Sequence, residues 1–328
     1  MMDRPVTLDA LRQPVAEELR TFDTAFHDAM RSRVGLVDLV ARYLVRQKGK
    51  RVRPILVLLS AKACGTITDS TYRGATLIEI LHTATLVHDD VVDDADTRRG
   101  LASINAVWKN KVAVLMGDYL LSRGLLLSLE HGDTYFLRET SQAVKRMSEG
   151  ELLQIQRSRR LDIDEPTYLR IIADKTASLF SACTAVGAAS STQDEQIRAR
   201  LREYGEQLGL AFQVRDDLLD YLGKRSILGK PTGIDIKERK LTLPLIHTLR
   251  SCDRSDARTA LRIIRQGADG RKLQWVIDLV VRSGGIEYAM KRADAMATAA
   301  REQITPLPPS EARDALMQFV DFVVTREH

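Results

Sequence analysis

Two segments of this 328-residue chain are apolar almost all the way round, and both run straight into clusters of aspartate. The first, Ala75-Thr76-Leu77-Ile78-Glu79-Ile80-Leu81-His82-Thr83-Ala84-Thr85-Leu86-Val87, leads into HDDVVDDAD, which carries Asp89, Asp90, Asp93, Asp94 and Asp96. The second, Leu208-Gly209-Leu210-Ala211-Phe212, leads into QVRDDLLDY, which carries Asp216, Asp217 and Asp220. A helix without a charged face belongs in the middle of a bundle, surrounded by others. Asp89 and Asp93 are spaced i, i+4, as are Asp216 and Asp220, so each pair projects from one face of its helix.

Stability alone would not choose this arrangement. A carboxylate near a helix C-terminus faces the negative end of the macrodipole, at roughly 0.3–1 kcal/mol each. Like charges at i, i+4 repel by a few tenths of a kcal/mol more. One such cluster reads as a solvated helix end; two with the same D-D-x-x-D spacing require a cation. Oxygen ligands without His or Cys select Mg²⁺, which keeps several waters and bridges carboxylates to substrate phosphates. A di-iron bundle would need two Glu-x-x-His motifs. Glu79-Ile80-Leu81-His82 supplies one, and no second lies on a comparable core helix.

The rest of the chain is helical in pattern. Periodicity predicts helices over 7–30, 34–47, 51–63, 70–94, 103–130, 133–159, 165–190, 193–222, 239–250, 254–266, 270–282, 284–303 and 310–326. Asp164 with Pro166 opens one of them, and Ser310 opens the last. No alternating β-branched run argues for a sheet. The fold class is therefore all-α, and residues 1–328 read as one domain, because no linker is long or polar enough to divide them. Cys64, Cys183 and Cys252 form no CxxC pair and point to a reducing, cytoplasmic setting. No secretory leader is visible, and no apolar run approaches the 18 or so residues of a membrane span. With acids and bases alternating and aromatics at 5% of residues, nucleic acid is not an expected partner.

Basic residues occur where phosphate would need them. Lys48-Gly49-Lys50-Arg51-Val52-Arg53-Pro54 opens a helix, whose free N–H groups already favour an anion. Arg98-Arg99-Gly100 follows the first acidic motif, Lys175-Thr176 lies within a long helix, and Lys230 and Lys240 bracket the loop after the second motif. Taken singly, the first cluster reads as a solvated patch or nucleic-acid contact, Arg98-Arg99 as compensation for a helix C-terminus, and Lys175 as a surface lysine. With the aspartates they describe a diphosphate site, metal-bridged on one side and clamped by guanidinium and ammonium groups on the other.

The ordered set GKRVRP, HDDVVDDADTRRG, DKTAS, FQVRDDLLDY and GKPTGIDIKERKLTLP resembles the trans-polyprenyl diphosphate synthases, in particular the long-chain octaprenyl and solanesyl kind. The resemblance is strong over about residues 40–250. It implies an isoprenoid-synthase-type helical bundle around a central cavity, acting as a homodimer. The implied reaction joins an allylic diphosphate to isopentenyl diphosphate head-to-tail and releases pyrophosphate. By resemblance, Asp89, Asp93 and Asp216 bind several Mg²⁺ ions, with Asp90, Asp217 and Asp220 in support. Arg98, Lys175, Gln213, Lys230 and Lys240 hold the allylic diphosphate, with Thr176 near its reactive end. Lys50, Arg53, His82 and Arg99 hold the diphosphate of isopentenyl diphosphate.

The resemblance also places the growing hydrocarbon along the helix before Asp89, one turn or about 5 Å below the motif. Ala84 and Thr85 occupy those positions. Short-chain relatives carry an aromatic residue there, so the small pair implies a deep tunnel and a long-chain product, hexaprenyl to decaprenyl. The floor is expected near Ile80, Leu81 or Leu115-Met116. Such a product would be handed to a membrane by an enzyme with no integral membrane segment. The competing readings are a farnesyl- or geranylgeranyl-length synthase, and a non-catalytic partner subunit, which would usually lack one or both aspartate motifs.

Overall fold

The computed structural model describes residues 6–47, 49–222 and 232–326, and helix dominates them from end to end. Thr7 opens α1 (Leu8–Arg12) by accepting the Ala10 N–H. Pro14 has no N–H to continue that helix. The expected 7–30 helix therefore breaks at a 3₁₀ turn, Gln13–Val15, before α2 (Ala16–Met30) buries Phe22, Phe26 and Met30. α3 (Gly35–Arg46) and α4 (Val52–Cys64) follow close to their expected limits. α5 (Asp69–Val92) opens on a reciprocal cap between Thr68 and Thr71 and is buried continuously from Gly74 to His82. The apolar helix read from the sequence is thus a central rod.

Strand pairing occurs once among the described residues, where sequence patterning gave no signal. β1 (Thr97–Arg98) and β2 (Leu101–Ala102) pair antiparallel across Arg99-Gly100. Both turn residues have positive φ, 52° and 79°, as a two-residue I′ loop requires. Strands of two residues are too short to show a period of two. The hairpin folds Arg98 and Arg99 back towards the end of α5.

α6 (Ile104–Glu130), capped by Ser103, returns along α5. By length and composition it could cross a membrane, contrary to the expectation of no such segment. Isolated polar residues such as Asp118 and Arg123 interrupt its apolar runs without lowering the average enough. One face packs on α5, with Leu77 and Leu81 against Gly124 and His88 against Gly117. The other leaves Val107, Val114, Leu115, Leu126 and Leu129 exposed.

α7 (Thr134–Arg160) and α8 (Glu165–Ile172) lead to the centre, α8 starting at the expected Asp164 cap. The helix expected over 165–190 is interrupted by a π turn, Ala173–Ala177, before α9 (Ser178–Ala189). α9 is buried from Ser178 to Ala188 and packs against α4, α7 and α10 (Glu195–Leu222). Glycines permit these close crossings: a Cβ on Gly209 of α10 would lie 2.5 Å from the Ala177 Cα. α11 (Ile234–Lys237) and α12 (Leu243–Ser251) lie near the predicted 239–250 segment. α13 (Arg254–Gln266), α14 (Gly270–Arg282), α15 (Gly285–Ile304) and α16 (Glu311–Thr325) complete the chain, α15 lying along α10. One contiguous apolar core runs from Leu11 to Val323.

Candidate active site

The two aspartate motifs end α5 and α10, and two lysines from other elements lie between them. Burial raises the Asp89 pKa, as do the negative neighbours Glu151 and Asp93, while Lys175 and Arg98 oppose the shift. Lys175 also acts, more weakly than Lys240, on Asp235, beside the second motif, whose carboxyl is pushed up to about 6 by burial and by Asp220. Burial works against the charge of Lys240, but Glu238, Asp235 and Asp93 outweigh it and hold its pKa above the usual lysine value. Lys175 and Lys240 thus each lie close enough to act on the first motif and on Asp235, whose N–H is bound by Asp220 of the second.

Within the first motif the carboxylates divide by direction. Asp90 is 3% exposed and accepts from Arg98 Nε at 2.7 Å. Asp89 and Asp93 point to the open side, where their side chains take no hydrogen bond among the described residues. In the second motif each aspartate is engaged differently. Asp216 Oδ1 lies 2.6 Å from Arg326 Nη2, beyond the end of α16, and that guanidinium also covers the Phe212 ring at 3.7 Å. Asp217 is buried, accepting from Tyr168 Oη at 2.6 Å and Gln213 Nε2 at 2.8 Å. Asp220 accepts the backbone N–H groups of Ile234 and Asp235, both at 3.0 Å, and so opens α11.

The π turn places Lys175 and Thr176 on the cavity wall. Gly150 of α7 makes room for it, because a Cβ there would meet the Asp174 Cβ and the Lys175 nitrogen at 3.0 Å. Arg146 clamps the turn from α7 to α10 through Asp174 Oδ1 (2.7 Å) and Glu206 Oε1 (2.6 Å). Lys175 Nζ reaches Glu151 at 2.5 Å. Thr176 Oγ1 donates to Gln213 Oε1 at 2.8 Å. Lys175, Thr176 and Gln213, with Asp217, Asp235 and Lys240, line a cleft of ≈ 560 Å³ that opens to solvent.

The basic segment before α4 splits by role. Arg51, at φ 54°, pairs with Glu79 (2.8 Å) and lies over Phe26, so it holds α2 to α5. Arg53 Nη1 lies 2.8 Å from His82 Nε2. Burial, then Arg53, Arg99 and Arg98, keep the His82 pKa well below its ordinary value. The neutral ring accepts on Nε2, so its proton sits on Nδ1. That N–H and Arg53 Nε are both buried without a partner among the described residues, two donors suited to an anion. Glu79 and His82 thus face arginines, which disposes of the iron reading. Arg99 Nη1 donates to the Gln47 carbonyl (3.1 Å), in space that a side chain at Gly49 would fill. A second cleft, of ≈ 460 Å³, lies beside Gln47, Arg51, Thr83, Asp90, Arg98 and Arg99. Lys50 is exposed, and its charge reaches Asp216. Lys230 lies outside the described residues.

Ala84 is 2% exposed, and Thr85 donates to the His82 carbonyl at 2.9 Å. Both fall between Leu81 and His88 on the side of α5 that meets α6, and neither borders the two clefts. Ile80, Leu81 and Met116 are buried, Leu81 against Gly124 of α6, whereas Leu115 is 59% exposed on the far face of α6.

Among the described residues no three His, Cys, Asp or Glu side chains converge on one point. The donor set nevertheless suits a hard cation. Asp89 and Asp93 are exposed carboxylates without a side-chain hydrogen bond among the described residues, and diphosphate oxygens and water would complete a six-oxygen shell. Arg326 is the cation that Asp216 holds instead.

The sequence model of the polyprenyl synthetase family matches residues 35–280. An all-trans-nonaprenyl-diphosphate synthase (geranyl-diphosphate specific) of Rhodobacter capsulatus is 38% identical over 95% of this chain and 96% of its own. The octaprenyl diphosphate synthase of Escherichia coli K12 is 35% identical over 98% and 100%. A crystal structure of a polyprenyl synthase from Caulobacter crescentus CB15, complexed with calcium and isoprenyl diphosphate, superposes with a TM-score of 0.90. It is 33% identical and covers 99% of this chain and 100% of that one.

Burial, and next the nearby Asp235 charge, push Asp217 up to about 7. An unfolded aspartate titrates near 3.9, at about three units lower. The folded state therefore binds the extra proton between those values, and the stability this confers is lost as pH rises through about 7. The melting temperature of metal-free protein should fall from about pH 5 to about pH 8, and Asp217→Asn should flatten that decline. An undiminished slope in the variant would contradict the placement of Asp217.

Proposed function

The chain belongs to the polyprenyl synthetase family, and from that membership we propose that it condenses an allylic diphosphate with isopentenyl diphosphate, head-to-tail, to a long-chain all-trans polyprenyl diphosphate and pyrophosphate. The observation that supports this reading is that Lys175 and Lys240 each bear on both the first aspartate motif and Asp235, which Asp220 of the second motif binds.

Asp89, Asp93 and Asp216 would hold Mg²⁺, with Arg326 leaving Asp216 as they do so. The metal supplies neutralisation of the charge that develops on the departing diphosphate. Lys175, Lys230, Lys240 and Arg98 grip its remaining oxygens, and Asp90 fixes the Arg98 guanidinium for that task. Gln213 joins them in holding the allylic diphosphate, and Thr176 lies beside the carbon that loses it. Arg53, His82 Nδ1, Arg99 and Lys50 receive the second diphosphate. The nearness of His82 to three arginines supports this grouping. The terminal alkene of isopentenyl diphosphate attacks the allylic cation, and released pyrophosphate takes the proton. No side-chain nucleophile is required.

The hydrocarbon extends along α5 into its seam with α6, past Ala84 and Thr85. The exposed apolar stripe of α6 supports a homodimer joined across that helix. One shared core supports a single domain, and three unpaired thiols support a cytoplasmic setting.

Asp89→Ala or Asp216→Ala should lower turnover by about two orders of magnitude or more while circular dichroism stays unchanged. Near-normal turnover in either variant would refute the metal assignment. Ala84→Phe should shorten the product towards geranylgeranyl or farnesyl diphosphate when labelled products are sized by chromatography. An unaltered ladder would remove the seam as the route of the growing chain.

A further inference from the structure

Tyr168 touches neither proposed metal ligands nor any residue of the basic half, yet it ends a hydrogen-bonded chain that reaches the cavity wall. Its hydroxyl is buried, and burial together with Asp217 raises its pKa well above the ordinary tyrosine value, so it remains a donor. It donates to Asp217 Oδ2 at 2.6 Å. Asp217 Oδ1 accepts from Gln213 Nε2 at 2.8 Å. Gln213 Oε1 in turn accepts from Thr176 Oγ1 at 2.8 Å. Tyr168, Thr176, Gln213 and Asp217 all line the same cleft.

The direction of each bond follows from the chemistry of the members. An amide can turn either its NH₂ or its oxygen to a neighbour, and a hydroxyl can donate or accept. Asp217, held in place by Tyr168, offers acceptor oxygen to Gln213 and so fixes the amide nitrogen on its side. The amide oxygen must then face Thr176, and the threonine proton is committed to it. What Thr176 has left for the cavity is its lone pairs. Beside a carbon acquiring positive charge, an oxygen presenting lone pairs stabilises, whereas a hydroxyl presenting its proton opposes.

We propose that Tyr168 is a positioning residue for prenyl transfer, setting the polarity that Thr176 shows to the allylic cation through Asp217 and Gln213. This rests on the placement of Thr176 in the preceding section. Tyr168 reaches the diphosphate grip only through Asp217 and Gln213, so its loss should act on the chemical step more than on substrate binding.

Tyr168→Phe keeps the ring and removes only the donor. Its kcat should fall about tenfold with both KM values within about twofold of wild type. Thr176→Val should lower kcat at least as far, and the double variant should be no slower than Thr176→Val alone, because both substitutions break one relay. An unchanged kcat in Tyr168→Phe would overturn the proposal. So would a double variant whose loss is the product of the two single losses, since Tyr168 would then act independently of Thr176. Wild-type turnover in Thr176→Val would instead refute the placement of Thr176 at the reacting carbon, and absence of any prenyl product from the unaltered chain would refute the activity itself.

Discussion

Negative charge gathered at the C-terminal ends of α5 and α10 is the constraint around which the rest of this molecule is arranged. Each helix delivers its carboxylates at the end where the macrodipole already disfavours them. Partners are then distributed with care. Asp90 receives Arg98, Asp216 receives Arg326, Asp217 receives Tyr168 and Gln213, and Asp220 receives two backbone N–H groups. Asp89 and Asp93 are left exposed, with no side-chain hydrogen bond among the described residues. The satisfied members fix the framework, and the free pair retains capacity for an ion.

Irregular backbone supplies the opposing cations. A two-residue hairpin turns Arg98 and Arg99 back over the end of α5, and a π turn brings Lys175 and Thr176 to the wall of the larger cleft. Neither device would hold on local preference alone. Arg146 ties the π turn to α7 and α10 by two close carboxylate contacts, and Gly150 and Gly209 let its backbone approach both helices. Such insertions are frequent at functional sites because they aim side chains that a regular helix would send elsewhere.

The aspartate pairs were legible because i, i+4 spacing projects directly into geometry, and the apolar rods because a helix lacking a polar face must be enclosed. The limits of most helices were equally plain from caps and period. Pro14 did split the first one, and the π turn passed unnoticed because Ala173–Ala177 carries no breaker. The hairpin was too brief to display alternation. Arg326 and Tyr168 join the second motif from 110 and 49 residues away. Nothing local marks such partners, and Glu151 and Asp235 were hidden among many ordinary surface-type acids. The basic cluster before α4 is visible in the sequence as a group, but only packing distinguishes Arg51, which braces Glu79, from Arg53, which meets His82.

The central claim is that one diphosphate is held by metal between the two motifs. Anomalous scattering from crystals grown with Mn²⁺ and a non-ionisable thio-analogue of an allylic diphosphate tests it most directly. The account predicts manganese peaks beside Asp89 and Asp93 and beside Asp216, bridged by diphosphate oxygens, with the Arg326 guanidinium moved off Asp216. Metal confined to one motif, or a diphosphate bound elsewhere while Arg326 keeps its contact with Asp216, would contradict it.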